Sequence, residues 1–523
     1  MPSLRPVAVW ARPLSPAFDL IVAAALGALH TGSFVYTEWW WLQMLCAGWL
    51  AWRASVATPA RAAGLGLCYG TAWFATGTWW LFISMHRYGG LPAWMAGVAV
   101  IALAAVLSLY LAAALWAFAR WRTGRPWPDA ALFAVLWLLA ELARGVVLTG
   151  FPWVASGYAH VDGPLAKLAP WIGVYGIGAV AAGIAAAVAF AWPPNGTRRT
   201  VVLAAAVVAA HVVDDYTAPV GFTSPTGTLQ ITLLQGDIPQ DEKFATQHQA
   251  AALEWHVQAL LAARGDVVIA PETAVPFLPQ QMPAGFWEGL RGRFAAGRTH
   301  ALFGVPLGDD QAGYTNSAVG FAPGRPEYRY DKHHLVPFGE FIPPGFRWFT
   351  RMMDIPLGDF DRGPLQAPSF AVAGERLAPN ICYEDLFGEE LAARFRDPAQ
   401  APTVFANLSN IGWFGNTIAI DHHLNISRMR SLEFQRPMVR ATNTGATVIV
   451  DHRGAVTQGL KPYARGVLEG PVQGRTGLTP FARWAAAAGL WPLGLLAGAV
   501  AAAFAWRARR AARATGEGVA RAP

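Results

Sequence analysis

The chain has 523 residues, of which 54% are hydrophobic and only 14% charged, and its mean hydropathy is +0.30. Soluble domains carry about 25% charged residues, so the composition argues against a wholly soluble protein. The formal charge is +7, but the arginines flank apolar runs instead of forming one patch, which favours a lipid bilayer over nucleic acid as the partner.

In chain order, apolar runs near residues 17–35, 38–57, 62–84, 92–118, 129–148, 168–192, 200–216 and 484–506 predict a polytopic α-helical membrane domain of about eight spans, each needing about 20 apolar residues. The first run is interrupted by His30, and the seventh is short and ends at Asp214 and Asp215. Trp39, Trp40 and Trp41 mark a span edge, where amphipathic rings favour the interface. Glu141 and Arg144 lie three apart on the fifth span. Mutual pairing for bundle assembly is the favoured reading of that pair, ahead of a substrate path. Arginines cluster in alternate connections: Arg5 and Arg12, Arg53 and Arg61, Arg120 to Arg125, Arg198 and Arg199, and Arg507 to Arg513. The alternation predicts a cytoplasmic N-terminus, about seven spans before the polar region, and that region outside.

From about 225 to 475 the texture changes. Short strand-like runs at 229–234, 267–270, 301–305, 317–321, 377–381, 403–408 and 447–451 alternate with helical stretches at 248–264, 286–296 and 422–434. This pattern predicts a layered α/β domain. The organisation expected is a membrane domain over 1–220, a catalytic domain over 225–475, a C-terminal span over 480–508 and a cytoplasmic tail over 509–523.

Three segments of this region carry chemistry. At 379–385 the string Pro-Asn-Ile-Cys-Tyr-Glu-Asp puts Cys382 at a strand-to-helix turn, where a helix dipole favours thiolate. At 268–276, Val-Ile-Ala-Pro-Glu-Thr-Ala-Val-Pro sets Glu272 directly after a buried strand, a place for a general base. At 330–341, Tyr-Asp-Lys-His-His-Leu-Val-Pro-Phe-Gly-Glu-Phe offers Lys332 as a positive charge for a thiolate and an oxyanion, with Glu340 to orient it. Read alone, Cys382 is equally well a buried structural cysteine, and a loop-capping acid and a solvated lysine are the commoner readings of Glu272 and Lys332. Cys46 and Cys68 lie in apolar runs, and Cys382 has no disulfide partner nearby. The adjacent histidines 333–334 and 422–423 form no metal-ligand constellation, and no CxxC, HExxH or phosphate loop occurs.

Together these strings resemble the nitrilase superfamily. The segments at 407–416 (Asn-Leu-Ser-Asn-Ile-Gly-Trp-Phe-Gly-Asn), 428–433, 436–445, 150–153, 235–240 and 477–480 extend the resemblance, over nearly the whole chain, to the bacterial apolipoprotein N-acyltransferases. The resemblance implies an αββα sandwich and a Glu272–Lys332–Cys382 triad without metal or other cofactor. It implies oxyanion support from Lys332 and the Tyr383 N–H, with Glu340 and Glu384 behind them. Phe244, Phe338, Phe341, Trp348 and Trp413 would form a greasy substrate mouth. The implied partners are a phospholipid acyl donor, a diacylated apolipoprotein acceptor and the bilayer. The implied location is the inner membrane, with the catalytic domain facing the periplasm. The sequence departs from the family at Phe244 (usually Trp), Asp237 (usually Asn) and Ile411-Gly412 (often Asp-Ala), departures that bear on substrate preference and lid contacts. A membrane-tethered amidase and a transporter with an inert domain are the rival classes. The first has no need of so many spans, and the second lacks paired broken spans.

Overall fold

The computed structural model describes residues 15–191, 220–240, 246–343, 345 and 359–519. The expected seventh span, Phe244, Trp348 and the arginines at 5, 12, 198 and 199 lie outside them. The chain divides into two compact units. One comprises Met1–Trp79, Gly97–Val220 and Leu490–Pro523, the other Trp80–Ala96 and Gly221–Gly489.

Among the described residues, five helices are long and apolar enough to cross a membrane: Ala17–Val35, Ala93–Trp121, Pro126–Thr149, Pro164–Ala191 and Trp491–Ala514. Two further apolar helices, Trp40–Val56 and Pro59–Gly77, lie between the first and second of these. The expected span 62–84 is cut short. Its helix stops at Gly77, where the amide and hydroxyl of Thr78 both turn back to Phe74 O, and Trp80 onward joins the other unit. The apolar run 484–506 is also divided. The helix Pro480–Ala488 ends at Gly489, whose φ of 56° suits glycine, before Trp491 starts the long helix.

Two buried charge clusters in the membrane unit are paired, as a low dielectric demands, and buried Asp129 is satisfied by the amides of Thr123 and Gly124. Asp19 meets Arg53 at 2.7 Å and also Arg61. Glu141 and Arg144 do approach, at 3.8 Å, but each mainly clamps the following loop. Glu141 accepts from the Ser156 amide (2.7 Å) and hydroxyl (3.0 Å), and Arg144 donates to the carbonyls of Phe151 (2.6 Å) and Trp153 (2.8 Å). The mutual pairing expected of the two is present, and the hydrogen bonds to the loop are an addition the sequence did not show.

The second unit is built on two six-stranded sheets. The first has the order β12-β1-β2-β3-β4-β5, with β1 Thr223–Gln235, β2 Val267–Ile269, β3 His300–Asp309, β4 Gly313–Phe321, β5 Tyr328–Asp331 and β12 Gly466–Gly477. The second has the order β11-β10-β9-β8-β7-β6, with β6 Phe370–Val372, β7 Glu375–Ile381, β8 Val404–Ser409, β9 Met438–Thr442, β10 Val448–Val450 and β11 Val456–Gly459. Leu229, Ile231 and Ile269 from one sheet and Leu377, Val404 and Val439 from the other fill the space between them. Helices Thr246–Ala262 and Phe286–Ala295 cover the outer face of the first sheet, where Leu260, Leu290 and Phe294 pack on Val268, Phe303 and Phe321. Helix Ala419–Phe434 covers the second, with Phe434 against Phe405 at 5.3 Å between ring centroids. The result is an αββα sandwich. Parallel pairing of β1, β2 and β3, and of β7, β8 and β9, sets their C-terminal ends side by side, where open α/β sheets place their chemistry.

Candidate active site

Glu272 lies just past β2 in a sharp turn in which Thr273 takes φ 52°. The turn lies directly on β3 at Gly304. A methyl group there would stand 2.5 Å from Thr273 N and 2.6 Å from the Glu272 Cα, so glycine is what admits the contact. Asn316 on β4 donates its amide to Glu272 Oε1 and to Glu340 Oε1, both at 2.7 Å. The other Glu272 oxygen accepts from the Asn410 backbone N–H at 2.9 Å. Lys332, just beyond β5 and 1% exposed, holds its Nζ 2.9 Å from Glu340 and 3.6 Å from Glu272. Burial favours the neutral amine, but Glu340 and Glu272 outweigh it and hold the ammonium above its ordinary range. One cation between two carboxylates lets a buried cluster of three ionisable groups persist.

Cys382 follows directly on β7 at φ 52° and is half-buried. Burial pushes its thiol well above the ordinary value, the charge of Glu272 adds to that, and Lys332 opposes it. The dipole-favoured thiolate expected from the sequence is therefore corrected. Cys382 opens a single 3-10 turn, Cys382–Leu386, which has too few aligned peptides to offset burial. The direction of the shift favours the thiol over the thiolate.

Glu384, 3% exposed, ties the lysine segment to the cysteine turn. It accepts from the amides of His333 (2.7 Å) and Ile381 (2.6 Å) and from the Tyr330 hydroxyl (2.7 Å). Tyr383 is buried, its ring edge-on to Phe387 at 5.3 Å and beside His334. Phe338 stands at φ 62° with its amide on Phe341 O (2.9 Å), and the Arg362 guanidinium lies 5.3 Å from the Phe341 ring centroid. Trp413 meets the edge of Tyr88 at 5.5 Å, and Phe414 packs on Trp80 at 4.3 Å, so residues from Trp80–Ala96 support the 412–415 loop inside this unit. Asp237 takes φ 48°, a conformation that Asn and Asp tolerate alike, so this departure from the family is neutral for the backbone.

The sequence reading did not single out Asn316, Asn410, Asn407, His423, Asp385 or Arg440. Asn407 Nδ2 donates to the Cys382 carbonyl (3.2 Å) and His423 Nε2 stands 3.1 Å from the same oxygen. For Asn407 and Asn410 the available signal was an amide side chain near the C-terminal end of the hydrophobic strand β8; Asn316, in the N-terminal half of β4, carried none.

A two-sheet αββα unit with acid, lysine and thiol near adjoining strand ends, on a chain with membrane-length helices, defines a membrane-bound protein of the carbon-nitrogen hydrolase class. Residues 230–481 match the carbon-nitrogen hydrolase family, and residues 26–187 match the apolipoprotein N-acyltransferase N-terminal domain. The chain is 53% identical over 510 residues to an apolipoprotein N-acyltransferase of Verminephrobacter eiseniae, covering 93% of this chain and 94% of that one. It is 46% identical over 473 residues to that of Ralstonia nicotianae (89% and 90%) and 42% identical over 526 residues to that of Bordetella bronchiseptica (92% and 96%). The chain belongs to the apolipoprotein N-acyltransferase family.

Proposed function

We propose that this protein moves an acyl chain from a membrane phospholipid to the N-terminal amine of the diacylglyceryl-cysteine of an apolipoprotein, through a thioester on Cys382. The observation that carries the reading is the buried Glu272–Lys332–Glu340 cluster, whose charges act on a protonated Cys382. Glu272 takes the Sγ proton and the thiolate attacks the ester carbonyl. Lys332 and the Tyr383 N–H hold the oxyanion. The ester C–O bond breaks, the lysophospholipid leaves with the proton from Glu272, and a thioester remains. The acceptor amine attacks it, Glu272 accepts the amine proton, the C–S bond breaks, and Glu272 returns that proton to the departing sulfur to regenerate the thiol and its own carboxylate. Glu340 and Glu384 orient the lysine and the cysteine turn. Phe338, Phe341, Trp413 and Phe244 shield the acyl chain from water.

The same proposal places the protein in the bacterial inner membrane with the 225–475 region in the periplasm, on the alternation of arginine-rich connections. Intact mass of the full chain, purified in detergent and given phospholipid, tests the reaction. An acyl mass on Cys382 is expected that hydroxylamine removes, that is absent in Cys382→Ala, and that a diacylated lipopeptide with a free amine discharges to a triacylated product. An acyl group delivered only to water would make the protein a tethered hydrolase and end the transferase reading.

A further inference from the structure

We propose, resting on the thioester reading, that His423 is a positioning residue: through the Cys382 carbonyl it aims and polarises the Tyr383 N–H that holds the oxyanion. The left-handed conformation of Cys382 is unfavourable for an L-residue and persists only where its surroundings over-determine it. Here the determinants converge on one atom. The Cys382 carbonyl receives Asn407 Nδ2 from β8 at 3.2 Å and His423 Nε2 from the helix Ala419–Phe434 at 3.1 Å. That carbonyl and the Tyr383 N–H are opposite ends of a single planar peptide, so fixing the oxygen fixes the direction of the N–H. A donor on the oxygen also draws charge through the amide and strengthens the N–H as a donor in turn.

The hydrogen-bond partners of His423 settle its tautomer. Its Nδ1 lies 3.1 Å from Arg440 Nη2, and a guanidinium only donates, so Nδ1 must accept. The ring proton therefore sits on Nε2, which faces two acceptors, the Cys382 carbonyl and Asp385 Oδ1 at 3.0 Å. Arg440 also grips the His423 carbonyl at 3.0 Å, Asp385 Oδ2 at 3.1 Å and the Ser427 hydroxyl, which itself donates to Asp385. Asp385 is fully buried, which disfavours its charge, yet His423, Arg440 and Ser427 outweigh that and hold its carboxyl below the ordinary range. The charge of Arg440 is thus spent on Asp385, and a neutral imidazole is presented to the peptide behind the thiol. No bond to His423 forms or breaks. It acts on the reaction only through the Cys382–Tyr383 peptide.

The test compares two rates at Cys382 on the full chain in detergent: acylation by phospholipid, read by intact mass, and alkylation by iodoacetamide, which displaces iodide and creates no oxyanion. Losing one oxyanion donor outright costs about 10²–10³-fold, so loosening one in His423→Leu is expected to slow acylation about 10–100-fold. Alkylation is expected to stay within about twofold, and turnover should lose kcat with KM nearly unchanged. His423→Gln, whose amide still donates, should recover most of the acylation rate. Equal loss of both rates, or loss of neither, overturns the inference. Should His423→Leu fail to accumulate, Asn407→Ser faces the same pair of rates: selective loss of acylation supports the inference, and equal loss or none overturns it. Wild-type protein that alkylates but never acylates removes the thioester reading and this inference together. Wild-type protein that acylates beside an unaffected His423→Leu removes this inference alone.

Discussion

Glu272 and Glu340 both contact Lys332, but they stand in different relations to it, and substitution should separate them. Glu340 is the nearer partner of an ammonium that is 1% exposed. Glu340→Gln leaves that charge with only the 3.6 Å contact to Glu272. Stripping a partner from a buried ion pair costs about 3–5 kcal/mol, so a lower melting temperature is expected by calorimetry in detergent. Glu272→Gln keeps its shape and the hydrogen bond from Asn410 but cannot take the thiol proton. It should melt near wild type while Cys382 acylation, followed by intact mass, falls about 10²–10⁴-fold. Near-normal acylation would remove Glu272 from the mechanism. Glu272, Lys332 and Cys382 were legible in the sequence only in combination, because the three strings together resemble one family while none is decisive alone. Asn316 and His423 were not, because their roles arise when β4 and the helix Ala419–Phe434 are folded against segments distant in sequence. A lone asparagine or a doublet of histidines carries no local mark of that.

The turn bearing Glu272 rests on β3 at one residue. Gly304→Ala would press its methyl group into the Glu272 backbone, and overpacking of this kind costs about 1–3 kcal/mol. Acylation should drop while iodoacetamide still reaches Cys382; unchanged acylation would show that the turn can give way. The helix Gly388–Ala392 carries a pH response. Burial, with Glu390 adding, raises the Glu389 carboxyl to about 7. The folded state then holds a proton that the unfolded chain has released, so this group's contribution to stability is full below the ordinary carboxyl value and is lost as pH rises to about 7. His334, kept neutral by burial down to about 3, tilts stability the other way below its ordinary value of 6.5. The comparison must therefore be with Glu389→Gln, in which the fall in melting temperature between pH 5 and 7.5 should be smaller than in wild type. Identical profiles would exclude Glu389 as the source. Most strands near the site follow runs visible in the sequence, such as 377–381 within β7. β12 does not, because its twelve residues include four glycines and its buried positions, Gly470, Val472 and Gly474, alternate with exposed Pro471 and Gln473. Only its long antiparallel register against β1 makes it a strand.

For the whole molecule, the proposed orientation makes a direct prediction. A reporter active only outside the cytoplasm, fused after Gly470, should be active, and activity of a cytoplasm-only reporter at that point would reverse the topology. The membrane character was legible in composition alone, because apolar runs need no partner to be recognised. What hydropathy could not separate was membership: the run 62–84 reads as continuous, yet its last residues belong to the sandwich unit and not to the helices. That division bears on how the protein is made. Trp80 and Tyr88 leave the ribosome more than three hundred residues before Trp413 and Phe414, the rings they pack against. At about 5–20 residues per second this is a wait of roughly 15–60 s. During that interval the ring contacts to the 412–415 loop are unmade, and the sandwich cannot be completed by folding its own contiguous stretch of chain. Synthesis order thus gives the loop at 412–415 a late closing step. A fragment beginning at Gly221 would never reach it, because the post on which that loop leans was translated first.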